Sequence, residues 1–76
     1  MNNARRRRIL TLIERMTAFE AEIDIIRMDE EEERDAIPEA PETREAYQEA
    51  ERAAEAITEA MRLAQDCLDE LRKAKL

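Results

Sequence analysis

The chain has 76 residues, a net charge of −7, no glycine and no histidine, and 43% of its residues are charged. That length allows one small domain, and the abundance of Ala, Glu, Arg, Leu, Ile and Met favours an all-α fold. The acidic balance argues against nucleic-acid or membrane-surface binding by the whole molecule. No apolar run reaches the ~20 residues of a membrane span. A single cysteine, Cys67, fits a reducing compartment, so we expect a cytoplasmic protein.

The first predicted helix, over about residues 3–36, carries a row of apolar side chains and can be capped by Asn2 or Asn3. The spacings in this row alternate between three and four residues, as they do on one face of a coiled-coil helix. The row consists of Ile9, Leu12, Met16, Phe19, Ile23 and Ile26. Continued further, the same register places Glu30 and Glu33 on this face.

Two prolines then interrupt the helical pattern. Pro38 and Pro41 lack a backbone donor and disfavour helix in the residue before each, so we expect a bend over about residues 37–41. Pro41 as first-turn proline or Thr43 as N-cap can start the second helix, expected over about 42–75. Its apolar row is Tyr47, Ala50, Ala54, Ile57, Met61, Ala64, Leu68 and Leu71. A neighbouring row of small residues, expected to face another helix, is Ala46, Ala53, Ala60, Cys67 and Ala74.

The short connection between two long helices predicts an antiparallel, coiled-coil-like hairpin. Folding at the bend places Phe19 opposite Met61, Met16 opposite Ala64, and Glu33 near Tyr47. One hairpin leaves a side of each helix uncovered. We therefore expect a homo-oligomer, most simply a homodimer that completes a four-helix bundle.

Charge is segregated along the chain, with +2 in residues 1–28, −9 in 29–51 and zero in 52–76. The hairpin makes one end basic and the other acidic. The basic end, Arg5, Arg6, Arg7, Arg8, Arg72 and Lys73, suggests a phosphate, nucleotide or nucleic-acid site. The alternative is a solvated, frayed end, or ion pairs with the acids of a neighbouring subunit. No aromatic residues for base stacking lie between the arginines, which argues against a single-strand site.

The acidic bend is the expected docking surface for a basic protein partner. It consists of Asp29, Glu30, Glu31, Glu32, Glu33, Glu39 and Glu42. Within it Glu30 and Glu33 point along the apolar row and form a polar group with Tyr47. Their stems can cover Tyr47 while the carboxylates stay in water. An oxygen-only metal site in the bundle is the alternative, but there is no histidine and no EF-hand spacing. We assign no metal ligand and no cofactor.

Enzymatic catalysis has little support in the sequence. The chain has no serine, no histidine, no glycine-rich phosphate loop and no nucleophile beside a base. We expect a small non-enzymatic protein that acts through protein–protein interaction.

The segment "EEERDAIPEAPETREAYQEAERAAEAI" resembles short, uncharacterised helical-hairpin proteins of bacterial and prophage genomes. The likeness consists of an acidic helix end, the turn Ile37-Pro38-Glu39 and a second helix rich in Arg, Glu and Ala. It covers about a third of the chain. The resemblance implies a fold and a genomic context, and supplies no activity and no functional residues.

Overall fold

A computed structural model describes residues 2–75, and within that range the chain is helical with no strand. Helix α1 spans Asn3–Asp35, a short 3₁₀ turn spans Pro41–Thr43, and helix α2 spans Arg44–Ala74. The predicted all-α class with two long helices is confirmed.

Both ends of α1 are set by local hydrogen bonds. The Asn2 side chain caps the helix, because its Oδ1 accepts a hydrogen bond from the Arg5 amide at 2.9 Å. This bond satisfies one of the amides that have no partner within the first turn. At the other end the Ala36 amide donates to the carbonyls of Glu32 and Arg34. The helix thus closes just before the proline segment.

Thr43 stabilises the bend through its side chain. Ala40, the residue before Pro41, is extended with φ −155° and ψ 154°, as proline requires of its predecessor. The Thr43 amide donates to the Ala40 carbonyl at 3.1 Å. The Thr43 hydroxyl lies within hydrogen-bond distance of the Ala40 and Pro38 carbonyls, and it does not cap α2. Pro41 therefore begins the turn that leads into α2, while Thr43 binds back to the bend.

The two helices contact one another, and the molecule is elongated, measuring 60 × 15 × 11 Å. Near one end Arg6 Nε donates to the Lys75 carbonyl at 3.0 Å. In the middle Gln65 Nε2 donates to Glu20 Oε1 at 3.2 Å. The start of α1 therefore lies beside the end of α2, and the centre of α1 lies beside the second half of α2.

The inner face of α2 agrees with the row predicted from the sequence. Its buried or half-buried positions include Ala50, Ala54, Ile57, Met61, Ala64, Leu68 and Leu71. Three of these, Ala54, Ala64 and Leu68, are buried, and on α1 Ile23 is buried as well. Tyr47, which the same pattern places on this face, remains exposed.

The inner face of α1 differs from the prediction. Ile9, Met16 and Ile23 are buried or half-buried, but the other half of the predicted row, Leu12, Phe19 and Ile26, is exposed. The predicted burial of these three residues within one chain is wrong. The positions that take their place are Ile13, Glu20, Arg27 and Arg34, all half-buried. The apolar strip of α1 is wider than one partner helix can cover, so part of it stays exposed. The long side chains of Glu20, Arg27 and Arg34 can line the contact with their alkyl stems while their charged heads reach water.

The row of small residues on α2 is mostly uncovered as well. Ala46, Ala60, Cys67 and Ala74 are exposed, and Ala53 is half-buried. The row expected to face another helix therefore does not face α1, and the Cys67 thiol is exposed.

Candidate functional site: the acidic bend

The acidic bend occupies the last turns of α1 and the connection to α2. Asp29 to Glu33 lie on consecutive positions of α1, Glu39 lies in the bend and Glu42 lies in the 3₁₀ turn. Glu30 and Glu31 are half-buried, and the other five acids are exposed. Five consecutive helical positions point in several directions, so the carboxylates surround this end of the rod.

Arg27 binds one of these acids. Its guanidinium lies 2.7 Å from the Asp24 carboxylate and 3.0 Å from that of Glu31, one turn away on either side. The hydrogen bonds that Arg27 donates to the carboxylates of Asp24 and Glu31 raise the pKa of Arg27 above its ordinary value. Arg34 is similarly held by Asp35 at 3.0 Å, which raises the pKa of Arg34.

The remaining acids of the bend carry uncompensated charge. Among residues 2–75, Glu31 is the one member of the acidic bend that forms an ion pair. The run also lies at the C-terminal end of α1, where the helix dipole is negative and disfavours carboxylates. This end of the rod therefore has a negative potential that a cationic group would relieve.

An open groove of about 770 Å³ lies beside the acids. Ile37, Pro38 and Tyr47 supply apolar wall, and Asp35, Glu39 and Arg44 supply charged groups. The apolar strip beside the Glu39 carboxylate can hold the alkyl stem of a cationic side chain, while Arg44 on the same wall offsets part of the negative charge.

The polar group predicted on the apolar row is arranged differently from the expectation. Glu30 is half-buried, while Glu33 and Tyr47 are exposed. Within residues 2–75 no hydrogen bond joins Glu33 to Tyr47. Sequence reasoning missed the inward arginines, although Ile13, Glu20, Arg27 and Arg34 repeat every seven residues.

The basic end has a different pattern of contacts. Arg6 binds the Lys75 carbonyl and Asn3, Arg72 lies 3.6 Å from Asp69, and Lys73 lies 2.9 Å from Glu70. The contact with Glu70 raises the pKa of Lys73. Arg5, Arg7 and Arg8 are exposed and form no ion pair within the described part of the chain.

Within residues 2–75, no group of three or more His, Cys, Asp or Glu side chains is arranged to hold a metal ion. Neither described helix combines the length and the apolar character needed to cross a membrane.

Comparison with protein-family models, curated proteins and solved structures gave no match. The contacts and charges of the chain itself are therefore the grounds on which a function can be proposed.

Proposed function

We propose that this chain is a small, non-enzymatic helical hairpin that acts through protein–protein contact as a homo-oligomer, with the acidic bend as its docking surface for a basic partner. The observation that carries the proposal is the uncompensated charge of the bend, since six of its seven acids form no ion pair within residues 2–75. The hairpin itself is supported by the bonds from Arg6 to Lys75 and from Gln65 to Glu20.

The bend is suited to a basic partner on electrostatic grounds. Like charges held close together repel one another, and a Lys- or Arg-rich surface relieves that repulsion on contact. Exposed charges are screened over about 8–10 Å at physiological salt, so the attraction acts mainly near contact and weakens as salt rises. The neighbouring wall of Ile37, Pro38 and Tyr47 adds apolar contact for the stems of cationic side chains.

Neutralising the bend should weaken binding of a cationic peptide of alternating Lys and Ala by about tenfold, because each lost carboxylate removes part of the attraction. The variant carries Glu32→Gln, Glu33→Gln and Glu39→Gln. A control with the same net charge carries Glu14→Gln, Glu55→Gln and Asp69→Asn. Titration by fluorescence anisotropy at low and physiological salt compares them. Equal affinity of the two variants would show that net charge alone attracts the peptide, and would refute a docking role for the bend.

The basic end supports a second candidate function, binding of phosphate or nucleic acid, because Arg5, Arg7 and Arg8 are exposed without ion pairs in the described range. Replacing Arg5 to Arg8 by glutamine should then abolish salt-sensitive retention of the protein on an immobilised single-stranded oligonucleotide. Replacing Arg15, Arg44, Arg52 and Arg62 by glutamine removes the same number of positive charges elsewhere and is the control. Absence of such retention in the unmodified protein would dismiss this candidate.

A further inference from the structure

Three large apolar side chains on α1 have no cover within the chain. Leu12, Phe19 and Ile26 are 47%, 53% and 48% exposed, and they recur every seven residues along one side of the helix. We call them the large row. On α2 the small row, Ala46, Ala53, Ala60, Cys67 and Ala74, also recurs every seven residues and is mostly exposed.

The two rows lie on the same side of the hairpin. Successive residues of a helix are ~100° apart around its axis. On each helix, the exposed row is therefore rotated by roughly the same angle, and in the same direction around the axis, from the residues that contact the other helix. Because the helices run in opposite directions, equal turns in the same sense bring both rows to one side. The hydrogen bond between Gln65 and Glu20 lies on the opposite side of the hairpin. The same helical geometry places Thr17, Asp24 and Thr58 on that side. One broad side is therefore apolar, and the opposite side is polar apart from Leu10, which is 39% exposed.

The side that carries both rows is long enough for a protein–protein interface. The rod measures 60 Å by 15 Å, and a second rod laid along it would face it over most of this length. Large and small residues on this side are also centred at one level, because Phe19 and Ala60 are about equally far from the bend.

A charged edge borders the large row and indicates what covers it. Arg8, Arg15, Glu22 and Asp29 recur every seven residues, first two basic and then two acidic. All four are exposed, and none forms an ion pair within residues 2–75. When the charged edges of two subunits run antiparallel with Phe19 at their centre, Arg8 meets Asp29 of the partner subunit and Arg15 meets Glu22 of the partner subunit. In a parallel two-fold arrangement α1 would instead lie on α2 of the partner subunit, with Arg15 and Glu22 facing apolar positions and Asp29 near Glu49 of the partner subunit.

The large row and the small row fit the same antiparallel two-fold arrangement. In the antiparallel arrangement Leu12 lies opposite Ile26 of the partner subunit, and Phe19 lies opposite the partner's Phe19. On α2, Ala53 lies opposite Cys67 of the partner subunit, and the small side chains allow close approach. A two-fold axis repeats each contact, so the surface is complementary to itself.

We infer that a second copy of this chain, laid antiparallel, covers the apolar side, with Arg8 and Arg15 paired to Asp29 and Glu22 of the partner subunit. This inference rests on the proposed oligomeric hairpin and names its interface and orientation. The basic end of each copy then lies beside the acidic end of the other, which also opposes the separation of charge within each rod.

Charge reversal tests the orientation. Sedimentation at low salt should show a dimer for the unmodified protein, and Arg8→Glu with Arg15→Glu should weaken it at least tenfold, because four opposite-charge pairs become like-charge pairs. Adding Glu22→Arg and Asp29→Arg to that variant should restore the dimer, since every pair is again of opposite sign. Failure of the fourfold variant to restore association would overturn the antiparallel arrangement.

Two further variants test the face. Phe19→Glu should disrupt the dimer, whereas Thr17→Glu, also at an exposed position of α1 but on the opposite side, should leave it intact. An oligomer that persists unchanged in both Phe19→Glu and the Arg8/Arg15 variant would refute this interface and leave the proposed oligomer standing. A monomer of the unmodified protein would refute both.

Discussion

Replacing Leu68 by alanine should lower the free energy of unfolding by about 2–5 kcal/mol, the largest loss we expect from truncating a single side chain. Leu68 is 2% exposed and is the largest fully buried side chain among the described residues. Its truncation removes apolar contacts and leaves a cavity that two stiff helices cannot easily close. For a chain of this size the melting temperature should fall by more than ~10 °C, measured by far-UV circular dichroism at a fixed protein concentration.

The matched control for this prediction is Leu63→Ala. Leu63 lies on the same helix, five residues earlier, and is 55% exposed. The same chemical change there should alter the free energy of unfolding by less than ~1 kcal/mol, because most of the side chain is already in water. Equal losses from the two truncations would contradict the burial of Leu68 against α1.

The contrast between the helices shows what the sequence could and could not predict about packing. On α2 the large apolar residues other than Leu63 form one narrow strip, and Leu68, Met61 and Ile57 turn inward as the spacing predicts. On α1 two adjacent apolar rows compete for the same partner. Periodicity alone cannot decide which of them α2 covers, because Phe19 and Met16 are equally apolar.

One feature of the bend could be predicted from the local sequence, and another could not. Proline restricts the residue before it, so the extended Ala40 follows directly from Pro41. The role of Thr43 did not follow, because its hydroxyl binds the Pro38 carbonyl, whose position depends on how the whole bend closes. A threonine beside a helix start predicts a cap, and here it stabilises the turn instead.

The exposure of the acidic bend was also largely predictable, since consecutive acids on a helix cannot all face inward. The inward position of Arg27 was not predicted, because a charged residue is normally assigned to the solvent side. A local signal did exist. Asp24 and Glu31 lie three and four residues from Arg27, the spacing at which side chains on one helix face meet.

Replacing Ala54 by leucine should lower the free energy of unfolding by about 1–3 kcal/mol, the second large effect we expect. Ala54 is 2% exposed on the inner face of α2, so the larger side chain must push the helices apart or adopt a strained rotamer. Helix propensity changes little between alanine and leucine, so the loss reports packing. Thermal unfolding followed by far-UV circular dichroism measures it.

The control for this substitution is Ala56→Leu, two residues further along α2 at an exposed position. The same side chain there extends into solvent, so the free energy of unfolding should change by less than ~0.5 kcal/mol. Measuring both variants across a range of concentrations separates hairpin packing from association, because only the latter depends on concentration. If Ala54→Leu were as stable as the unmodified chain at every concentration, Ala54 would not lie at a close contact between α1 and α2.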